Sequence, residues 1–187
     1  MRQIAEGLWQ LSGFPSDLFN IYLMGDVLID GATRWAVPRV LRRVREHSVK
    51  MVALTHCHPD HQGVASAVCR RLNVPLACHE ADVAAMEGRE PMRPDNWVMR
   101  FGVWLWAGSA HPVGRVLRDG DEVAGFRVIH TPGHVIFWRD SDRVAVAGDL
   151  VANFRLTGLR EPPTIFSVHC PMWFDVLRFW NGRKKPV

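Results

Sequence analysis

A dense group of metal-binding side chains directly follows a short apolar run of the chain. The run, residues 51–55, is typical of a buried strand. It is followed by His56, His58, Asp60 and His61. Residues two apart in an extended chain point the same way, so the first two histidines can converge on one ion, and the next turn brings the other two groups to a neighbouring position. Three imidazoles and a carboxylate suit zinc or a similar metal, and burying them without one would be costly. We therefore expect a metal site at this strand end.

The segments around this group alternate between helix and strand patterns. Apolar residues at helical spacing predict helices over residues 34–47, 64–72 and 81–88, and a short strand at 75–78 separates the last two. This alternation favours a layered α/β fold. No internal repeat or linker interrupts it, so we predict a single domain over residues 1–187.

Strand patterns dominate both flanks of this helical part. Alternating residues and turn signals predict an antiparallel meander over residues 4–14 and 19–30. On the other flank, strands are predicted at 126–131, 135–138 and 144–147, the last two pairing across a turn at 139–142. A second set of strands is therefore expected after the helices.

Composition excludes several classes of protein. Of the 187 residues, 48% are hydrophobic and 22% are charged, which is typical of a globular chain with its own core. No run approaches the roughly 18 apolar residues of a membrane span, and the N-terminus lacks the apolar region of a signal peptide. We therefore expect a cytoplasmic protein that does not bind membranes. The net charge of +4 comes from scattered arginines, so we expect no nucleic-acid partner. The four cysteines lack C-x-x-C spacing and are expected to be reduced thiols.

Residues 90–111 combine prolines and glycines with many aromatic side chains. The preferred interpretation is a helix or loop whose aromatic residues cover the core. The alternative is that the tryptophan-rich part, residues 97–106, forms a wall of a substrate site.

Two later residues are candidates to complete the metal site. His134 follows a predicted strand in the run Thr-Pro-Gly-His, and Asp149 follows another in the pair Gly-Asp. Both would lie in turns at strand ends, where they can converge on the first group. Taken separately each signal is weak, because both dipeptides are common in turns.

Taken in order, these motifs resemble the metallo-β-lactamase superfamily, and in particular its glyoxalase-II-like hydrolases. The motifs are His56-x-His58-x-Asp60-His61, Thr131-Pro132-Gly133-His134 and Gly148-Asp149. The resemblance is strongest over residues 4–151. It implies an α/β fold, the four-layer αβ/βα sandwich of that superfamily, with its metal pair at the edge between two β-sheets.

The resemblance also implies a role for each candidate. One metal would be held by His56, His58 and His134, the second by Asp60 and His61, and Asp149 would bridge them. The cofactor would be zinc, two ions per chain, with iron or manganese as alternatives. A metal-activated hydroxide, which Asp60 helps to orient, would attack an ester, thioester or lactone bond of a small molecule. No side-chain nucleophile is expected.

The chain departs from the family pattern in two places. Many relatives carry the Thr-Pro-Gly-His unit twice in tandem, and the first of the two histidines binds metal; here the unit occurs once. His134 can match either histidine, and the ligand is the preferred match. Relatives also supply a last histidine from a later Gly-His motif, which this chain lacks. His169 either replaces that ligand or is a tail residue, and residues 170–187 are expected to form an atypical or truncated end.

Because the second ligand set is incomplete, two other functions stay open. One is a mononuclear iron oxidoreductase that resembles the persulfide dioxygenases and needs only a His-His-Asp site. The other is a catalytically impaired metal-binding domain. A β-lactam substrate is not implied, because this fold and metal site support many reactions.

Overall fold

A seven-stranded sheet forms the larger half of the computed structural model, which describes residues 1–11 and 19–150. Its strands follow one another in chain order: β1 (Arg2–Ala5), β2 (Leu8–Leu11), β3 (Ile21–Met24), β4 (Val27–Ile29), β5 (Met51–Ala53), β6 (Leu76–His79) and β7 (Val113–Leu117). β1 to β4 pair antiparallel, whereas β4 to β7 pair parallel. Parallel neighbours need crossover connections, so the segments between β4 and β7 contain the helices.

Five α-helices lie in these crossovers. They are α1 (Val37–Val44), α2 (Pro59–Gln62), α3 (Ala65–Leu72), α4 (Val83–Met86) and α5 (Trp97–Trp106). α3 is followed by Asn73, whose left-handed backbone (φ 55°) turns the Val74 N–H back to the Cys69 carbonyl at 3.1 Å. α5 begins at Asn96, whose side chain accepts a hydrogen bond from the Met99 N–H at 2.9 Å.

The second sheet is antiparallel and has four strands within the described ranges. They are β8 (Glu122–Val123), β9 (Phe126–Thr131), β10 (His134–Arg139) and β11 (Val144–Val146), in the spatial order β11-β10-β9-β8. β9 and β10 form a hairpin whose two turn residues are Pro132 and Gly133, the latter at φ 81°. This turn places His134 at the very start of β10.

Alternating side chains of the first sheet serve two different cores. Leu28 and Val52 pack against the helices with residues such as Val68. The flanking residues Val27 and Met51 point the other way and pack against the second sheet. The described residues therefore form a helix layer and two sheets, and a second helix layer, which the resemblance implies, is not found among them.

Most elements predicted from the pattern are confirmed, including the N-terminal meander, the hairpin of β10 and β11 and the helices between the strands. The aromatic segment is the exception. It forms α5, but the expectation that its aromatic residues cover the core is wrong: Trp97 is 79% exposed and Trp104 is 67% exposed. The helix lies on the surface, where the Trp35 indole N–H donates to the Leu105 carbonyl at 3.0 Å. None of the helices in the described ranges has the length and apolar character needed to cross a bilayer.

Candidate metal centre

The metal-binding motif begins where β5 ends, beside the end of β4. Thr55 is fully buried and donates two hydrogen bonds to the Asp30 carboxylate, from its backbone N–H and from Oγ1, each at 2.8 Å. Asp30 directly follows β4, and the carboxyl ends of parallel strands meet at one sheet edge. These bonds fix the backbone immediately before His56.

Thr55 also positions the two later candidates. Its carbonyl accepts a hydrogen bond from the Val135 N–H at 2.8 Å, which holds the start of β10 against the motif. Gly148 approaches so closely that a Cβ there would lie 2.5 Å from Thr55 Oγ1, and its φ of +53° also favours glycine. One buried threonine thus brings both His134 and Asp149 to the first motif.

The second half of the motif forms α2, with His58 at its N-cap and Pro59 as its first residue. The helical turn directs His61 towards the interior, where its Nδ1 lies 2.9 Å from Asp30 Oδ2. The other ring nitrogen, Nε2, lies 2.9 Å from Asp149 Oδ1. A carboxylate behind a histidine in this way fixes the orientation of the ring.

Three imidazole rings lie close to that of His56. The ring centroid of His56 lies 4.4 Å from that of His58, 4.1 Å from that of His61 and 4.2 Å from that of His134. His58 Nε2 lies 2.9 Å from the Arg93 carbonyl oxygen and so donates its N–H to it. In that tautomer Nδ1 of His58 carries the lone pair that can bind a metal.

The donor atoms fall into two groups, and within each group they lie within 4.8 Å of one another. The groups are His56, His58 and Asp149, and Asp60, His61 and Asp149. The ring nitrogens Nε2 of His56 and Nδ1 and Nε2 of His134 are buried and have no hydrogen-bond partner among the described residues. Buried polar atoms are normally hydrogen-bonded or bound to a metal. The residues present therefore fit two metal ions that share Asp149.

Burial keeps two of the rings neutral. Burial, and then the proximity of His61, lowers the pKa of His56 well below its ordinary value. Burial, and then the proximity of His58, also lowers the pKa of His134. The neutral imidazole is the form that binds a metal.

His61 has the opposite shift. Burial acts to lower its pKa, but the carboxylates of Asp30 and Asp149 outweigh it and raise the pKa of His61 well above its ordinary value. Burial acts to raise the pKa of Asp149, but the hydrogen bond from His61 outweighs it and lowers the pKa. The two carboxylates therefore favour the form of His61 that is protonated on both ring nitrogens, and a metal bound at Nε2 would displace the proton there.

The cysteine inside the motif is not available as a nucleophile. Cys57 is 3% exposed, and its Sγ lies 3.9 Å from Met86 Sδ. Burial raises the pKa of its thiol far above the usual range. A buried thiol of this kind is chemically inert, as its place in the sequence suggested.

The structure brings together all six side chains proposed from the sequence, namely His56, His58, Asp60, His61, His134 and Asp149. Sequence reasoning missed Asp30 and the Arg93 carbonyl. Asp30 had a detectable signal, because it ends an apolar strand beside the motif strand; a backbone carbonyl has none. His169 and residues 170–187 lie outside the described residues.

Comparison with known proteins agrees with this geometry. Residues 20–169 match the profile of the metallo-β-lactamase superfamily. The probable metallo-hydrolases YybB and YflN of Bacillus subtilis are 29% identical over 162 residues and 28% identical over 176 residues. The matches cover 83% and 80% of this chain but 67% and 66% of the relatives, so the chain spans about two thirds of their length.

Solved structures show the same fold. The subclass B3 metallo-β-lactamase BJP-1 of Bradyrhizobium japonicum superposes with a TM-score of 0.59 at 18% identity, over 84% of this chain and 65% of that one. TTHA1623, solved in a di-iron-bound form, superposes with a TM-score of 0.59 at 23% identity, over 94% of this chain and 81% of that one. The family profile covers well over half of the chain, and the chain therefore belongs to the metallo-β-lactamase superfamily.

Proposed function

We propose that this chain is a metal-dependent hydrolase with two metal ions, zinc in the first instance, that cleaves an ester, thioester or lactone bond of a small molecule. The observation that carries the proposal is the sharing of Asp149 by two groups of donor atoms. Membership of a superfamily whose relatives include probable metallo-hydrolases supports hydrolysis in general.

The six residues would form two sets of metal ligands. His56, His58 and His134 would hold one ion, Asp60 and His61 the other, and Asp149 both. When bound, the ions would supply an activated water and polarise the bond to be cleaved.

Three groups would position the metal ligands and the water. Asp60 is half-buried beside His61, its Oδ2 3.8 Å from Nε2, and would orient the water by accepting its hydrogen bond. Asp30 holds the His61 ring with Nε2 directed at Asp149. The Arg93 carbonyl holds His58 in the tautomer whose Nδ1 is available.

A mononuclear iron oxidoreductase is the second candidate. The group of His56, His58 and Asp149 is by itself a His-His-Asp set, which is the ligand set of many mononuclear iron sites. Under this alternative, Asp60 and His61 would hold no metal.

The test compares the full chain loaded with zinc and loaded with iron(II). The zinc form should hydrolyse at least one of a p-nitrophenyl ester, a small acyl thioester and a γ-lactone, and His58→Ala should lose both metal and activity. His47→Ala is the matched control and should keep both metal and activity. His47 precedes β5, whereas the metal-binding motif follows it, and the His47 ring contacts Trp9.

Each outcome distinguishes the alternatives. Oxygen consumption with a persulfide, by the iron form alone, would favour the oxidoreductase. No reaction of either form would favour an impaired metal-binding domain. Hydrolysis that survives in His58→Ala would refute a metal-dependent hydrolase.

A further inference from the structure

A half-open cavity of about 490 Å³ lies beside the metal-binding motif, lined by residues of α2, α4 and α5 and of the segments around them. Its lining includes Gln62, Met86, Met92, Met99, Val103 and Ala110, and none of the six proposed metal ligands. Binding sites for small molecules typically have volumes of roughly 300 to 1,000 Å³, and this cavity lies within that range. The cavity is therefore large enough to bind a ligand of its own.

The character of the lining limits what could bind there. Three methionine side chains contribute flexible, polarisable surface that adapts to apolar ligands. The charged groups around it are paired with one another: Arg100 holds Asp95 with two hydrogen bonds of 2.8 and 3.1 Å, and Arg93 lies 3.8 Å from Glu90. An uncharged, mainly apolar ligand suits this surface.

One polar side chain in the lining is poorly satisfied. Gln62 is 1% exposed, and its Nε2 donates to the Gly108 carbonyl at the limiting distance of 3.5 Å. Its Oε1 is buried and has no hydrogen-bond partner among the described residues. Because the terminal torsion of glutamine is soft and Gln62 lines the cavity, rotation about that torsion can present this oxygen to a ligand, whose N–H or O–H would satisfy it.

The cavity adjoins the metal centre without being part of it. Gln62 directly follows His61 on α2. Arg93, which follows the lining residue Met92 in the chain, gives its carbonyl to His58. The two sites thus share short stretches of backbone but not side chains.

We propose that this cavity is a second binding site, for a compact, uncharged, mainly apolar molecule that carries one N–H or O–H donor to Gln62 Oε1. The proposal concerns binding alone, so it stands or falls independently of the hydrolase. It also assigns a role to α5: Met99 and Val103 of this helix form part of the cavity wall while its aromatic residues face outward.

The test uses the full chain with methyl-labelled methionine, observed by NMR with and without zinc. The probes are two matched pairs: indole with 1-methylindole, and 1-hexanol with 1-methoxyhexane. Indole and hexanol should shift the methyl signals of Met86, Met92 and Met99. The signals of Met24 and Met51, which lie in the core between the sheets, should stay in place and so serve as internal controls.

The matched probes test the hydrogen bond. Each donor-bearing probe should bind about five- to tenfold more tightly than its methylated partner. In Gln62→Leu this difference should vanish while the methylated probes still bind.

Two tryptophan variants test the location. Val103→Trp should abolish binding, because the side chain fills the cavity, whereas Val98→Trp, on the 57%-exposed outer side of the same helix, should not. Should Val103→Trp fail to fold, Ala110→Phe fills the cavity from the other side. If neither pair of probes shifts the signals of Met86, Met92 and Met99, the cavity holds solvent only and the proposal is wrong. It is also wrong if both pairs shift these three signals and the two control signals alike. Equal binding of donor and methylated probes to the unmodified chain would likewise overturn it.

Discussion

Replacing Asp30 by asparagine should disable one metal site while leaving the fold intact. Asp30 is 1% exposed and accepts hydrogen bonds from Thr55 N, Thr55 Oγ1 and His61 Nδ1 at 2.8 to 2.9 Å. Asparagine tolerates the left-handed backbone at this position (φ 59°) and keeps one acceptor for the threonine. Its amide N–H₂, however, faces His61 Nδ1 as a donor. The ring must then accept at Nδ1 and carry its proton on Nε2, the atom directed at Asp149.

The expected magnitudes follow from these contacts. Loss of a charge-assisted hydrogen bond should lower the free energy of unfolding by roughly 1.5–3 kcal/mol. Loss of the carboxylate behind a ligating histidine should weaken metal binding at that site by about 10- to 100-fold. Chelator-competition titration with zinc, together with urea unfolding, measures both quantities. Asp26→Asn is the control, because the Asp26 side chain is 41% exposed and paired with Lys50 at 2.9 Å, away from the metal-binding motif. Two zinc ions bound by Asp30→Asn with unchanged affinity would refute the reasoning.

Three further predictions concern stability. Gly148→Ala should destabilise the chain by at least about 1 kcal/mol in urea unfolding, because its Cβ would lie 2.5 Å from Thr55 Oγ1; Gly120→Ala, where φ is also positive but the space is open, should cost less, and equal losses would contradict the clash. Burial raises the pKa of Asp82 to about 6, so protonated Asp82 stabilises the fold below its unfolded pKa, and that contribution is lost as the pH rises through about 6. Asp82→Asn should therefore gain stability over the unmodified chain, by at most about 3 kcal/mol, near pH 7.5 but not near pH 3, below the unfolded pKa, and an equal difference at both pH values would exclude this cause. Chelation of bound metal should lower the melting temperature, since a ligand present at 100 times its Kd stabilises by about 2.7 kcal/mol; an unchanged melting temperature would show that these side chains hold no metal.

The parts of the site that lie close together in sequence could be predicted, because spacing alone determines their geometry. His56 and His58 must share a direction in an extended segment, and the turn of α2 follows from Pro59. His134 and Asp149 are positioned by Thr55, through contacts that span dozens of residues. No local pattern encodes such contacts, so the place of these two residues at predicted strand ends gave only weak signals, which the order of the motifs then strengthened.

The aromatic helix shows where composition misleads. α5 carries apolar residues on every side, so its pattern selects no buried face, and hydrophobicity alone predicted burial. In the structure Met99 and Val103 line a cavity while Trp97 and Trp104 face outward. The direction of a helix of this kind is set by tertiary contacts, here the Trp35 bond to the Leu105 carbonyl.

The central claim is that two metal ions share Asp149, and a zinc titration of the metal-stripped full chain tests it most directly. The unmodified chain should bind about two equivalents of zinc, in line with a two-metal site. Asp60→Ala should weaken one equivalent, whereas Asp149→Ala should weaken both. A single equivalent in the unmodified chain, or an Asp149→Ala variant that keeps one site at full affinity, would contradict the account.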